Sequence, residues 1–230
     1  MIDPSKITIY NATDGELEEL ILFWVCAAGK NGRTAARCLD KFLKLIGEPY
    51  GKHMDSISKV YNLPKLLQLC GIGCYNSKAK SFLQLATECI SGRLNLRTCT
   101  AEDLEKIHGI GMKTSRCFIL HSRPDARYAG LDTHVLKHLK INGVGNVPKS
   151  TPGTKKEYLR LEKEFLRLAD EVGMLPSRYD LMIWNKYSAK STPGENKKKL
   201  QRLIELSKWS EGELISIIDQ EAVGIGVIKK

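Results

Sequence analysis

Two residues nineteen positions apart, Lys113 and Asp132, have side chains suited to nucleophilic and acid–base chemistry. Lys113 follows the Gly-Ile-Gly triplet of LEKIHGIGMKTSRCFIL (104–120), a stretch that reads as a helix, a tight turn and a second helix. The lysine then falls in the first turn of that second helix, where the macrodipole disfavours a cation and an acidic residue would stabilise. The positive end of a helix and partial burial both favour the neutral amine, and a neutral amine is a nucleophile. An exposed lysine holding a phosphate is the plainer reading of the same position. Asp132 opens the apolar helix of AGLDTHVLKHL (129–139) as its natural N-cap. At the mouth of a cleft, the same carboxylate could stabilise a developing sugar cation or shuttle a proton.

The turn before Lys113 has its own use. Glycines permit positive φ and leave the backbone uncovered. The turn amides and the next helix N-terminus then form an anion site suited to a phosphate. Such a hairpin can grip a DNA backbone without reading its sequence; a ligand-free connection between helices fits the turn equally well. The candidate phosphate-binding residues are His108, Gly109, Ile110, Gly111 and Thr114. The pattern has an echo, since LLQLCGIGCYNSKA (66–79) aligns with LEKIHGIGMKTSRC (104–117) at an offset of 38 residues. Leu66 matches Leu104, Leu69 matches Ile107 and Ser77 matches Ser115, but Tyr75 stands where the second copy has Lys113. Because Gly-Ile-Gly also occurs at 224–226, the lysine after the turn is more informative than the turn.

The elements that must position these residues are helical. RTAARCLDKFLKLIG places Ala35, Leu39, Phe42, Leu43 and Ile46 on one stripe. SKAKSFLQLATECI gives Phe82, Leu85, Ala86 and Cys89, and EYLRLEKEFLRLADEV gives Leu159, Leu161, Phe165, Leu168 and Ala169. SRYDLMIWNKY (177–187) is a shorter apolar helix, and ITIY (7–10) is the single short strand candidate. The expected fold class is all-α, about ten helices with short loops. Breaks fall at 47–52, 122–130, 142–154 and 191–199, the last reading as a Pro-, Gly- and Lys-rich linker to an appended element at 191–230.

Composition bounds the function. The 230-residue chain is 42% hydrophobic and 27% charged, ordinary for a globular protein. No apolar run nears the ~18 residues that span a bilayer, and LILFWVCAAG (20–29) reads as a buried helix. The N-terminal stretch lacks a basic-then-apolar signal pattern, so an intracellular protein with no membrane partner is expected. Seven cysteines with no C-x-x-C pair suit neither a disulfide framework nor a zinc site, and no metal site is expected. The net charge of +10 and a pI near 9.2 favour a polyanionic partner.

LEKIHGIGMKTS, the Pro-containing loop HSRPDARYAG and LDTH together resemble the helix-hairpin-helix (HhH-GPD) DNA glycosylases, with the lysine-to-aspartate spacing typical of that superfamily. GCYNSKAKSF resembles the GLYNSKA stretch of endonuclease III, and the likeness runs over about residues 15 to 190. It implies two helical lobes: a six-helix barrel at 15–126 carrying the hairpin 104–120, and a second lobe from 1–14 and 127–190. Carried over by position, Lys113 attacks C1′ of a damaged nucleotide, displaces the base and forms a Schiff base, while Asp132 assists. Such a lysine implies a bifunctional glycosylase and abasic-site lyase. The target base must leave the duplex. Cys74 stands at the place of the endonuclease III wedge leucine, and Tyr75, Asn76 and Asn31 are further candidates to fill the gap. Endonuclease III and the related adenine glycosylase carry a four-cysteine iron–sulfur cluster after the aspartate; here no cysteine follows Cys117, so no such cluster and no cofactor is expected. The superfamily often places a monovalent or divalent cation on the hairpin carbonyls. PSRYDLMIWNKY resembles the D-L-x-I-W helix of the compact archaeal-type 8-oxoguanine glycosylases, which makes Trp184 a candidate to stack on the flipped base, with Phe118 and His134 also in the pocket.

The expected function is therefore excision of an oxidised base, 8-oxoguanine foremost, from double-stranded DNA carrying a damaged base or abasic site, by a monomer. The same chemistry on oxidised pyrimidines or a modified phage-type base, and a non-catalytic hairpin DNA-binding protein, are the competing readings. The compartment follows the source: cytoplasm or nucleoid in a prokaryote or virus, nucleus in a eukaryote. The extension beyond residue 190 departs from the compact enzymes, and Lys197, Lys198 and Lys199 are its candidate DNA contacts.

Overall fold

The computed structural model describes residues 2–47 and 52–188. Ten α-helices and a short 3-10 turn at Pro4–Lys6 make up the regular structure of these residues, with no strand among them. α1 (Asp14–Ala27) opens on a capping box in which Thr13 and Glu16 satisfy each other's backbone N–H. Leu17, Leu20, Ile21, Leu22, Phe23, Val25, Cys26 and Ala27 are all buried. A helix that is apolar on most faces belongs inside, which is why LILFWVCAAG shows little periodicity. α2 (Gly32–Ile46) is its amphipathic neighbour and buries Ala35, Ala36, Leu39, Phe42 and Leu43. α3 (His53–Ser58), α4 (Leu63–Leu69), α5 (Tyr75–Ile90), α6 (Ala101–Glu105) and α7 (Met112–Ser122) follow. After the 123–132 loop come α8 (Thr133–Ile141), α9 (Lys155–Glu171) and α10 (Pro176–Ser188).

Residues Met1–Tyr187 form one compact unit, and within it the buried apolar side chains fall into two clusters. The first takes residues between Ile7 and Ile119, including Phe23, Phe42 and Phe82. The second joins Ala129, Leu131 and α8 to Tyr158, Leu161 and Phe165 of α9 and to Tyr179 and Ile183 of α10. Ile7 and Ala12 belong to the first cluster, whereas the sequence expectation groups 1–14 with the second. The expected strand at 7–10 does not form: Ile7 caps the 3-10 turn with helical backbone angles, and the Ile9 N–H donates to the His121 carbonyl at 2.8 Å. On α9, Leu159 is exposed and Tyr158 takes the buried position instead. The expected linker, helices and Lys197–Lys199 of 191–230 lie outside the described residues.

A buried ion cluster joins the two cores. Arg116 on α7 is 2% exposed, with NH1 2.5 Å from Glu105 Oε1 and Nε 3.3 Å from Glu162 Oε2. Its guanidinium lies 5.0 Å from the Tyr158 ring and 5.6 Å from the Tyr128 ring. Glu162 also accepts from the Ala129 N–H (2.9 Å), and the Tyr158 hydroxyl donates to the Ala129 carbonyl and accepts from the Leu131 N–H. α7 and α9 thereby clamp the 129–131 segment that leads into Asp132.

Candidate active site

Side-chain oxygens of Thr13, Asn31, Asp132 and Thr154 cap α1, α2, α8 and α9. α5 and α7, the two helices that follow Gly-Ile-Gly, have neither a side-chain cap nor an acidic residue in the first turn. Their first amides are thus left for an external acceptor, the arrangement that favours an anion. The second hairpin is braced by α5. Ser81 Oγ donates to the His108 carbonyl (2.6 Å), Gln84 Oε1 accepts from the His108 N–H (2.8 Å), and Ser77 Oγ lies 3.1 Å from His108 Nε2. Gly109 has φ +75°, and a Cβ there would sit 2.8 Å from Ser81 Oγ, so glycine is required on two counts. Gly111 is the uncapped N-cap of α7, with open space around it. The side chains of Ile110 and Thr114 are buried, which leaves their backbone amides as the groups that could meet a phosphate.

Lys113 is partly buried at the start of α7, with Nζ 5.1 Å from the centroid of Trp24 on α1. Lys113, Cys117 and His121 recur every four residues, which places them on one face of α7. Asp132 Oδ1 accepts from the His134 and Val135 N–H groups (2.8 and 2.9 Å), so it caps α8 as its sequence position predicts. Burial pushes the Asp132 carboxyl above its ordinary range; the Lys113 ammonium opposes that rise and the Asp180 carboxylate adds to it. Burial likewise pushes the Cys117 thiol up to about 12, with Lys113, Asp180 and Asp132 all within electrostatic reach. The structure therefore brings Lys113 and Asp132 to one place, around an un-ionised thiol. A Cβ on Gly130 would lie 2.3 Å from Cys117 Sγ, so only glycine lets this loop close onto α7.

The other site candidates are scattered. Phe118 is fully buried in the first core and presents no surface to a ligand. His134 stacks on Tyr187 at 6.4 Å and 9°. Trp184 packs at the start of α2, 5.7 Å from the Arg33 guanidinium and against Gly32. Trp24 is the indole at the lysine, and the sequence reading overlooked it. The gap-filling candidates come from two adjacent turns: the Lys30 side chain lies over Gly73, where a Cβ would be 2.6 Å from Lys30 Cε. Asn31 uses its side chain to cap α2, Tyr75 packs against the first core, and Cys74 and Asn76 are exposed. Cys74 holds a left-handed φ of +56° and is exposed at the turn.

His121 and Asp180 also escaped the sequence reading. His121 stacks on Trp24 at 5.5 Å and 17°, and its Nε2 lies 3.2 Å from Asp180 Oδ2. All seven cysteines are free thiols, and among the described residues no group of three or more His, Cys, Asp and Glu is arranged to hold a metal ion. No helix among them is long and apolar enough to cross a membrane.

The solved structures decide the architecture. The 8-oxoguanine DNA glycosylase of Thermotoga maritima superposes with a TM-score of 0.61 over 78% of this chain and 83% of that one, at 24% identity. The 8-oxoguanine glycosylase/lyase of Methanocaldococcus jannaschii, solved in complex with a DNA 15mer containing 8-oxoguanine, gives 0.59 over 79% and 85%, at 19% identity. The chain has the fold of the 8-oxoguanine DNA glycosylases. In sequence, the 8-oxoguanine DNA glycosylase/AP lyase of Thermotoga sp. (strain RQ2) is 35% identical over 77 residues. That match spans 33% of this chain and about a third, 36%, of the curated relative. No protein-family model matches the chain. In this glycosylase fold, Lys113 comes from the helix after the hairpin and Asp132 from the loop entering the second core.

Proposed function

We propose that the protein is a bifunctional DNA glycosylase and abasic-site lyase that excises 8-oxoguanine from double-stranded DNA. The observation that carries this reading is the meeting of Lys113, at an uncapped helix start, with the buried carboxylate of Asp132 in a chain of this fold. The DNA-bound relative and the glycosylase/lyase relative supply the substrate class.

The steps run on two side chains. Asp132 accepts a proton from the Lys113 ammonium, and the free amine attacks C1′ of a nucleotide swung out of the duplex. The bond from C1′ to the base breaks, Asp132 passes its proton to the departing base, and the carboxylate so restored stabilises the positive charge that develops on the sugar. Ring opening gives a Schiff base between C1′ and Lys113 Nζ. That imine acidifies the neighbouring C2′–H, whose loss expels the 3′ phosphate and cuts the strand. Lys113 and Asp132 thus carry both activities in this reading.

The two cores act as two lobes around the DNA, Lys113 from the first and Asp132 beside the second, with the 108–114 backbone holding phosphates. The adjacent turns at Lys30–Asn31 and Cys74–Asn76 fill the space the flipped nucleotide leaves. The hairpin carbonyls of Lys106, Ile107 and His108 already accept from Gln84, Ile110 and Ser81, so this reading assigns no cation there. Incubation with a panel of duplexes, each carrying one lesion opposite each base, tests the substrate. Cleavage at 8-oxoguanine is expected; a preference for thymine glycol would replace 8-oxoguanine by an oxidised pyrimidine.

A further inference from the structure

Three side chains behind the Lys113–Asp132 pair have no part in the steps above: Thr8, His121 and Asp180. His121 is fully buried, with Nδ1 2.9 Å from Thr8 Oγ1 and Nε2 3.2 Å from Asp180 Oδ2. A neutral imidazole satisfies both contacts: the Thr8 hydroxyl donates to Nδ1, and Nε2–H donates to the carboxylate. The face of the same ring stacks on Trp24, whose indole lies against the Lys113 ammonium. Asp180 approaches from α10, and its Oδ1 is 3.7 Å from where a Cβ on Gly130 would be, two residues before Asp132. One buried relay therefore reaches the lysine through an indole and the aspartate through charge.

We propose that His121 and Asp180 are positioning residues of the lyase site: they seat the Lys113 amine through Trp24, and the Asp180 carboxylate makes Asp132 a stronger acceptor for the proton the lysine gives up. The inference rests on the function proposed above. In the step it serves, an N–H bond of the Lys113 ammonium breaks and an O–H bond forms on Asp132, leaving a neutral amine and a neutral acid. The His121 N–H holds the Asp180 carboxylate in place, and that carboxylate acts on Asp132 as a neighbouring negative charge. The groups facing Asp132 are Lys113 and Cys117 from α7, His134 from α8 and Asp180 from α10. The nearby Tyr158 hydroxyl of α9 is neutral and bonded to the backbone of Ala129 and Leu131. With Cys117 held as a thiol, Asp180 is the negative neighbour whose removal Asp132 would feel.

The test is the rate of borohydride-trapped adduct formation on a duplex with an abasic site, measured from acid to neutral pH. Asp180→Asn keeps the shape and deletes the charge. It is expected to lower the neutral-pH rate about tenfold and to move the acid limb down by about one pH unit, because Asp132 then holds a proton less tightly. His121→Phe keeps a ring against Trp24 but leaves Asp180 without its donor, and the limb should move the same way. Uniform slowing with an unmoved limb in both variants would make the relay merely structural and overturn the proposal. If Asp180→Asn does not fold, the limb of His121→Phe decides alone. No adduct with the unaltered protein would overturn the lyase reading, and this inference with it; an adduct with an unmoved limb overturns the inference alone.

Discussion

Asp132 holds two roles that pull in opposite directions. As N-cap it accepts two backbone N–H groups, which stabilises α8. As a buried acid it ionises less readily in the fold than in the unfolded chain. A carboxyl whose proton affinity rises on folding makes the fold lose stability as pH rises through its ordinary range, just above 3.8. Asp132→Asn keeps an oxygen to cap the helix and removes that loss. Its melting temperature at neutral pH should equal or exceed that of the unaltered chain, while strand cleavage falls by about 10²–10⁴. A melting temperature lower by more than a few degrees, with cleavage retained, would reduce Asp132 to a cap. As candidates, Lys113 and Asp132 stand out in the sequence because one defies a helix rule and the other obeys one. Trp24 was not, because it sits in an apolar run with no periodic face to single it out. The spacing of Lys113, Cys117 and His121 was visible, but a histidine on an apolar helix reads first as core. Only the three-dimensional placement of Asp180 gives His121 its meaning.

The hairpin is held from below by its own echo. Ser77, Ser81 and Gln84 on α5 bond to His108 of the second turn, so the helix that follows the first Gly-Ile-Gly braces the second copy at 104–117. Gly109→Ala would force a side chain at positive φ and drive its Cβ toward Ser81. A stability loss of about 1–3 kcal/mol is expected, together with weaker binding to undamaged duplex DNA, measured by denaturant unfolding and by anisotropy. Arg116 is the second test at this scale. Arg116→Met leaves Glu162 and Glu105 without their cation at the joint between the cores, and removing one partner of a buried pair costs about 3 kcal/mol or more. A thermal midpoint within a degree of the unaltered chain would show that the cluster does not tie α7 to α9. The helices themselves were readable from period alone where one face is apolar, as in α2 and α5. Leu159 and Tyr158 exchanged places because the 129–131 loop, distant in sequence, claims the tyrosine hydroxyl.

Across the whole molecule, the charge of +10 favours a polyanionic partner, and the proposed grip on DNA predicts a steep salt dependence. If about four phosphates are neutralised, affinity should fall roughly a hundredfold between ~50 and ~200 mM salt, and a flat salt dependence would argue against a backbone grip. The all-helical class was legible from the sequence, whereas the division of the first 14 residues was not, because Ile7 and Ala12 choose their core by packing rather than by order along the chain. The account requires one lysine among many to be the nucleophile. Among the described residues its rival by environment is Lys78 on α5, whose amine is buried, is lowered in proton affinity by that burial, and donates to the Cys26 carbonyl at 2.7 Å. Borohydride reduction during reaction with 8-oxoguanine duplex, followed by digestion and mass spectrometry of the adduct, separates them. The account predicts a sugar remnant on Lys113 and no adduct from Lys113→Gln; a remnant on Lys78, or full trapping by Lys113→Gln, would contradict it.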